Sequence, residues 1–249
     1  MTEIALVTGA PRRIGRAIAV RLAAEGFAVA LHASPRSQDQ VHEFAQELTK
    51  GGARARAFIA DLSDPHALAG LLQAAETALG PLTHLVNNAS IFEPDSPDAL
   101  DLDRWERHFA INLRAPVLLS SEFARLCGTQ RRGAIINIVD QRVFRLNPRY
   151  FSYTLAKSAL WTATQTMAQA YAPNLRVNAV GPGPVLPNQN EGQEGFALEA
   201  ARVPLEHAID PEEIAQAVLY LARAQSVTGQ MICVDSGQHI AWKTPDAIL

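Results

Sequence analysis

Cysteine, one-signed charge blocks and long apolar runs are all scarce in this chain. Of 249 residues only Cys127 and Cys233 are cysteine; they lie far apart and outside any Cys-x-x-Cys spacing, so a disulfide framework is excluded and two buried thiols in a reducing compartment are expected. The seven histidines are scattered without a His-x-x-x-His pair, so no metal site is expected. No apolar run approaches the ~20 residues of a membrane span. The N-terminus enters a strand directly instead of opening with a basic, apolar, small-residue leader. A soluble, cytoplasmic protein is the expectation. The net charge is -3, and like charges occur only in short pairs such as Arg12-Arg13 and Arg131-Arg132. That leaves no electrostatic footprint for nucleic acid or an anionic membrane and points to a small-molecule partner. No repeat, low-complexity tract or dense Pro/Gly/Ser linker divides the chain, and residues 1–249 read as one domain.

What is present is an alternation of short apolar runs with longer amphipathic segments. The runs 4–7, 27–31, 55–60, 82–86, 134–139, 175–180 and 231–234 read as strands. Their nearly continuous hydrophobicity indicates burial on both faces, as a parallel sheet requires. The segments between them predict helices at 14–25, 38–50, 65–79, 102–127, 152–172 and 211–224, long enough for crossovers. The fold class is therefore α/β, a Rossmann-like doubly wound parallel sheet of about seven strands flanked by helices. A polar stretch, 181–195, follows the sixth strand and reads as part of a substrate loop of about 181–204, at the strand ends where ligands bind in such sheets. A plain excursion of the chain is the alternative.

Between the first strand and first helix stands Thr8-Gly9-Ala10-Pro11-Arg12-Arg13-Ile14-Gly15. Missing side chains at Gly9 and Gly15 let backbone approach a pyrophosphate, and the helix N-terminus supplies N–H groups and positive dipole; a tight turn without ligand would use glycine in the same way. Arg13 occupies the place of a middle glycine and is expected to aim its guanidinium at the cofactor phosphates or at whatever lies over them. After the second strand comes His32-Ala33-Ser34-Pro35-Arg36-Ser37, where an NAD enzyme would carry a carboxylate for the ribose hydroxyls. Hydroxyls and an arginine suit a 2'-phosphate, so NADPH is expected. Asp61 and Leu62 are placed for the adenine edge. Asp61 as a helix cap is the alternative, although Ser63 and Asp64 lie closer to that helix. Asn88 and Ala89 are placed for the floor under the adenosine ribose.

Tyr153 and Lys157 are four apart in a helical stretch, so phenol and ammonium share a face. A nearby ammonium favours the phenolate, and the tyrosine is expected to titrate closer to neutrality than a free phenol. Asp140 lies thirteen residues before Tyr153.

Taken together, Thr8-Gly9 to Gly15, Asp61, Asn87-Asn88-Ala89, Asn112, Tyr153-x-x-x-Lys157 and Pro182-Gly183 resemble the short-chain dehydrogenase/reductase family over residues 4 to about 238. Three departures from its common pattern are similar to the pteridine reductases: Arg13 for the middle glycine, Asp140 for the usual serine, and Asn88-Ala89-Ser90-Ile91-Phe92 for Asn-Asn-Ala-Gly. The resemblance implies a catalytic set of Asp140, Tyr153, Lys157 and Asn112. Tyr153 would supply the proton, coupled to Asp140. Lys157 would bond the nicotinamide ribose, and Asn112 would hold a helix irregularity and a water leading to Lys157. It also implies a flat pterin stacked on Phe92, with Ser90 and Arg13 bonding substrate or phosphate and Pro182-Gly183 beside the cofactor. An ionised Asp140 accepts hydrogen bonds only and would repel a developing alkoxide, which argues against ordinary ketone reduction. The expected activity is NADPH-dependent reduction of dihydromonapterin, dihydrobiopterin or dihydrofolate by a homo-oligomer, dimer or tetramer. The alternatives are a carbonyl or 3-ketoacyl reductase of the same fold, and a non-catalytic NADP-binding module.

Overall fold

The computed structural model describes residues 2–187 and 192–242. Its seven strands are β1 (Ile4–Val7), β2 (Ala28–Ala33), β3 (Ala55–Ile59), β4 (His84–Asn87), β5 (Gly133–Ile138), β6 (Leu175–Pro182) and β7 (Met231–Val234). All pair in parallel, in the order β3-β2-β1-β4-β5-β6-β7. The chain winds outward from β1 to β3, returns to the other side of β1 as β4, and winds outward again. That reversal opens a crevice between the carboxyl ends of β1 and β4.

Alternate residues explain the unbroken apolar runs. In β1, Ala5 and Val7 enter the core on one face, with α1 (Arg13–Ala24), α2 (Gln38–Lys50) and α8 (Pro211–Arg223). Ile4 and Leu6 enter the core on the other, with α3 (Pro65–Leu79), α5 (Ala115–Cys127) and α6 (Phe151–Tyr171). Each fully buried aliphatic side chain contributes roughly 1.5–3 kcal/mol relative to exposure, so both helical layers are retained. Asp64 and Asp210 cap α3 and α8 from positions just before a proline, and Asp101 caps α4 (Leu102–Phe109). The first turn of α1 has no side-chain cap, and that end faces the crevice.

Two predicted stretches differ. The helix expected over 102–127 is interrupted: α4 ends at Phe109, a π-turn spans Ala110–Arg114, and α5 follows. The stretch 181–204 is not one loop, because β6 runs to Pro182 and α7 (Gly192–Arg202) occupies its second half; residues 188–191 lie outside the described residues. Both cysteines are free, but only Cys127 is buried, Cys233 being partly exposed. Among the described residues no helix is long and apolar enough to cross a membrane.

Candidate active site

The crevice is a cleft of about 800 Å³ running from the glycine loop to Gln238. Its floor is a clasp between two strand ends. Thr8 Oγ1 accepts from the backbone N–H groups of Asn88 and Ala89 at 2.9 and 3.0 Å, and Asn88 Nδ2 donates to the carbonyls of Thr8 and Gly9 at 2.8 and 3.2 Å. Gly9 takes a φ of 64°, which suits glycine. A Cβ on Gly15 would stand 2.2 Å from the Gly9 carbonyl oxygen. Backbone thus packs on backbone, leaving the uncapped α1 N-terminus beside Gly9 and Ile14 open to an anion.

Arg13 does not behave as expected. It adopts φ 52°, the conformation a glycine would take more readily, and its guanidinium donates to the carbonyls of Pro187 at 2.8 Å and Leu186 at 3.1 Å. It ties the glycine loop to the segment after β6, on the cleft wall. On that segment Gly183 packs so closely on Asp235 that a Cβ would come within 2.7 Å of its Cα, which keeps Pro182 and Gly183 on the cleft wall.

At the nucleotide end, His32 is 1 % exposed and spends both ring nitrogens on backbone. Nδ1 accepts from Gly9 N–H at 3.3 Å, so Nε2 carries the proton, 3.1 Å from the Ala60 carbonyl. Burial lowers its pKa to about 4. His32 therefore braces the loop from below and is not a charged contact for a phosphate. Around it Arg12 Nη2 donates to Ser37 Oγ at 3.2 Å, and Ser34 and Arg36 are exposed on the cleft wall. Asp61 Oδ1 accepts from the N–H and hydroxyl of Ser63 at 2.9 and 2.7 Å; these bonds hold its carboxyl below the usual range, helped by the charge of Arg36. Asp64, not Asp61, caps α3. Asp61 and the buried Leu62 both line the cleft.

At the other end Tyr153 Oη donates to Asp140 Oδ2 at 2.8 Å. Lys157 Nζ donates to the Ile138 carbonyl at 2.7 Å and stands 5.7 Å from the centre of the Tyr153 ring. Burial brings the lysine down to about 8, against the pull of Asp140. The tyrosine moves opposite to expectation: burial and the adjacent Asp140 carboxylate push its pKa well above 10, outweighing any help from the ammonium. Burial raises Asp140, opposed chiefly by the Arg142 guanidinium and by the Arg142 N–H bond to Oδ1 at 2.8 Å. The site thus holds a phenol that keeps its proton and donates to Asp140, whose carboxyl burial draws toward the neutral form, with the Arg142 and Lys157 side chains nearby.

Asn112 sits in the π-turn, fully buried. The helix irregularity expected at this residue is present; Asn112 Oδ1 accepts from Ser90 Oγ and Ile91 N–H at 3.0 Å each, and its Nδ2 donates to the Ile91 carbonyl at 3.0 Å. The widened turn fixes the 88–92 loop. Ser90, expected to bond ligand, has its hydroxyl within reach of Asn112 Oδ1 at 3.0 Å and the Ile91 carbonyl at 3.3 Å, and its hydrogen bond with Tyr153 lowers the phenol's pKa against the larger effects of burial and Asp140. Phe92 lines the cleft with one face stacked on Tyr150, centroids 3.9 Å apart at 9°, and meets Tyr153 edge-on at 4.7 Å.

Sequence reasoning missed Gln141, Arg142 and Arg107, and also Phe196, Glu199 and Gln238 on the far wall, where Gln238 Nε2 donates to Glu199 Oε1 at 2.9 Å. The signal for Phe196 and Glu199 was their i,i+3 spacing in a stretch that forms helix. Donor atoms of Cys233, Asp235 and His239 lie within 4.8 Å of one another, but Asp235 spends its oxygens on Gly237 N–H, His239 N–H and His239 Nδ1, as the cap of the turn at Gln238–Ile240.

A nucleotide-shaped cleft at the switch point of a parallel sheet, ending in a Tyr/Lys pair, defines a dinucleotide-dependent oxidoreductase. Residues 9–239 match the family model described as enoyl-(acyl carrier protein) reductase, and the chain belongs to the short-chain dehydrogenase/reductase family. A "Short-chain type dehydrogenase/reductase" of Picea abies is 34% identical, covering 95% of this chain and 92% of its own. The chain is also 29% identical to the "3-oxoacyl-[acyl-carrier-protein] reductase FabG" of Staphylococcus aureus, over 96% of this chain and 99% of that one. Among solved structures, FolM alternative dihydrofolate reductase 1 from Brucella canis, complexed with NADP, superposes with a TM-score of 0.95 at 45% identity, covering 99% of this chain and 97% of that one.

Proposed function

We propose that this protein is an NADPH-dependent reductase of a dihydropteridine: dihydromonapterin, dihydrobiopterin or dihydrofolate. The observation that carries the reading is the Tyr153–Asp140 hydrogen bond. A ketone reductase needs a second donor on the carbonyl oxygen as negative charge develops there, and a carboxylate in that place opposes the charge. A ring C=N acquires a proton on nitrogen, and a pterin's amino and ring N–H groups are donors that a carboxylate accepts. The likeness to a dihydrofolate reductase at 45% identity supports the same reading.

The residues fit the nucleotide. The Gly15 cradle, where a Cβ would collide, and the uncapped N-terminus of α1 would take the pyrophosphate. Arg12, Ser34, Arg36 and Ser37 would take the 2'-phosphate, and Asp61, Leu62 and Asn88–Ala89 would border the adenosine. Lys157 and Pro182–Gly183 would border the nicotinamide end. The bound cofactor supplies the hydride. Phe92, on the cleft wall, is the aromatic against which a flat heterocycle would stack, Asp140 would orient the donors of that ring, and Tyr153, which keeps its proton, would hand it to the reduced ring's nitrogen. Leu118 on α5 and Leu155 on α6 are 39% and 36% exposed, which supports burial against a second copy in a homo-oligomer.

The likeness to a 3-oxoacyl reductase favours a second reading, a carbonyl reductase that tolerates Asp140. The test follows NADPH oxidation with 7,8-dihydropterins, dihydrofolate and simple ketones, for the native protein, Tyr153→Phe and Asp140→Ser. Dihydropterin turnover lost in both variants is the expected result. Ketone turnover alone, rising in Asp140→Ser, would overturn the proposal, and nucleotide binding without any turnover would reduce the chain to a binding module.

A further inference from the structure

Among the described residues, four buried side-chain atoms lack a hydrogen-bond partner: Asn87 Oδ1, Arg104 Nε, His108 Nδ1 and Gln141 Oε1. Of these residues only Gln141 lines the cleft. It is 4 % exposed, and a buried acceptor left unpaired costs free energy that an apolar side chain of the same shape would not. A glutamine kept in that place calls for a partner that arrives with the ligand.

Its backbone is already committed. The Gln141 carbonyl accepts from Phe144 N–H at 2.9 Å and Arg145 N–H at 3.3 Å, closing the turn that Asp140 caps. A Cβ on Gly181 of β6 would stand 3.5 Å from the Gln141 nitrogen, so the end of that strand packs close to it. These contacts seat the residue between Asp140, which Tyr153 contacts, and the strand end that leads into Pro182 and Gly183. The last torsion of a glutamine side chain is soft, so the oxygen can turn to a ring lying in the cleft without moving the backbone.

Asp140 and Gln141 both line the cleft and offer acceptors on successive residues, the second of them without a charge. Such a pair suits a ring edge that carries N–H donors side by side. The amino group of a pterin and the ring N–H next to it are such an edge. We infer that Gln141 is a specificity-determining residue whose Oε1 accepts an N–H from that edge of the substrate, beside the donors that Asp140 orients. This rests on the pteridine reading above and deepens it by naming the part of the ring that the site reads.

The experiment compares native protein with Gln141→Met on the dihydropterin that native protein reduces fastest and on two analogues of it, one lacking the ring amino group and one methylated on the adjacent ring nitrogen. It measures kcat and KM, or Ki for an analogue bound without turnover, together with NADPH affinity by fluorescence titration and the urea unfolding midpoint. Gln141→Met should raise KM for the dihydropterin roughly ten- to hundredfold and lose that penalty on one of the two analogues. NADPH affinity should be unchanged and the urea midpoint no lower than in native protein. An equal penalty on all three compounds would overturn the inference: with weakened NADPH binding it would assign the carboxamide to the nicotinamide, and with a lowered midpoint to the support of Asp140. An unchanged KM would overturn it as well. If native protein reduces no dihydropterin, the pteridine reading itself fails and takes this inference with it.

Discussion

Acid should loosen the nucleotide end of the cleft through one side chain. His32 is enclosed between the Gly9 N–H and the Ala60 carbonyl, and burial brings its pKa from 6.5 to about 4. Above 6.5 the ring is neutral in folded and unfolded chains alike, and below about 4 it is charged in both. Between those values the unfolded chain binds the extra proton, so folding stability falls as pH drops from 6.5 to about 4 and this contribution is level outside that window. The full span is worth about 3 kcal/mol, most of which is lost by pH 4.5. His84 and His108 are also lowered by burial, so the raw loss in native protein is larger and a difference is needed. His32→Gln keeps an acceptor and a donor but does not titrate. Urea unfolding of both proteins at pH 7 and 4.5 should show His32→Gln losing about 2–3 kcal/mol less than native protein between the two. Equal losses would refute the argument that this ring is held neutral by burial.

Three further outcomes follow from the site. Gly15→Ala puts a Cβ 2.2 Å from the Gly9 oxygen and 2.6 Å from Asn88 Nδ2; a loss of about 1–3 kcal/mol in urea unfolding is expected, with loss of nucleotide binding by fluorescence titration. Asp95 accepts from the Ser152 N–H at 3.1 and 3.2 Å and from its hydroxyl, anchoring the start of the helix that carries Tyr153. Asp95→Asn should cost about 0.5–2 kcal/mol and lower kcat more than nucleotide affinity, as stopped-flow and titration would show. With Lys157 at about 8, kcat/KM should decline as pH rises through that value and the ammonium is lost, and a pH profile level to pH 10 would contradict the lysine's part.

The sheet was legible because parallel strands buried on both faces must be apolar throughout, and Ile4–Val7 or Gly133–Ile138 can serve no other purpose. The pairing of Asp140 with Tyr153 could be anticipated, since strand end and helix start converge at the crevice. Side-chain destinations were harder. Asn112 was expected at a helix irregularity and stands in one, whereas Arg13 and Ser90, expected near the ligand, bond neighbouring backbone or side chains, because a loop built from irregular backbone must first satisfy its own polar groups. His32 stood in a ligand-facing stretch, but alternation along β2 turns it inward. α7 was missed because Gly192 and Gly195 and the polar run before them read as loop, while the apolar anchors that define the helix, Phe196 and Ala200, fall late. The sign of the tyrosine shift depended on two distances the sequence does not contain: Asp140 lies in hydrogen-bond contact, whereas Lys157 points its proton at Ile138.

That sign sets the resting protonation of Tyr153. A tyrosine brought towards neutrality is ready to act as a base, as an alcohol oxidation requires; a tyrosine held protonated is ready only to donate. In this site Tyr153 keeps its proton because burial, and then the adjacent Asp140, push its pKa well up. Giving that proton away leaves two negative groups in contact, a state that burial alone would forbid. Arg142 and Lys157 both lower the Asp140 pKa against its burial, and on the proposed function they would offset the negative charge left when Tyr153 gives up its proton. On the proposed function, Asp140 would act twice: it would withhold the second donor that a ketone requires, and beside it Tyr153 would rest with its proton in place for the nitrogen of the reduced ring.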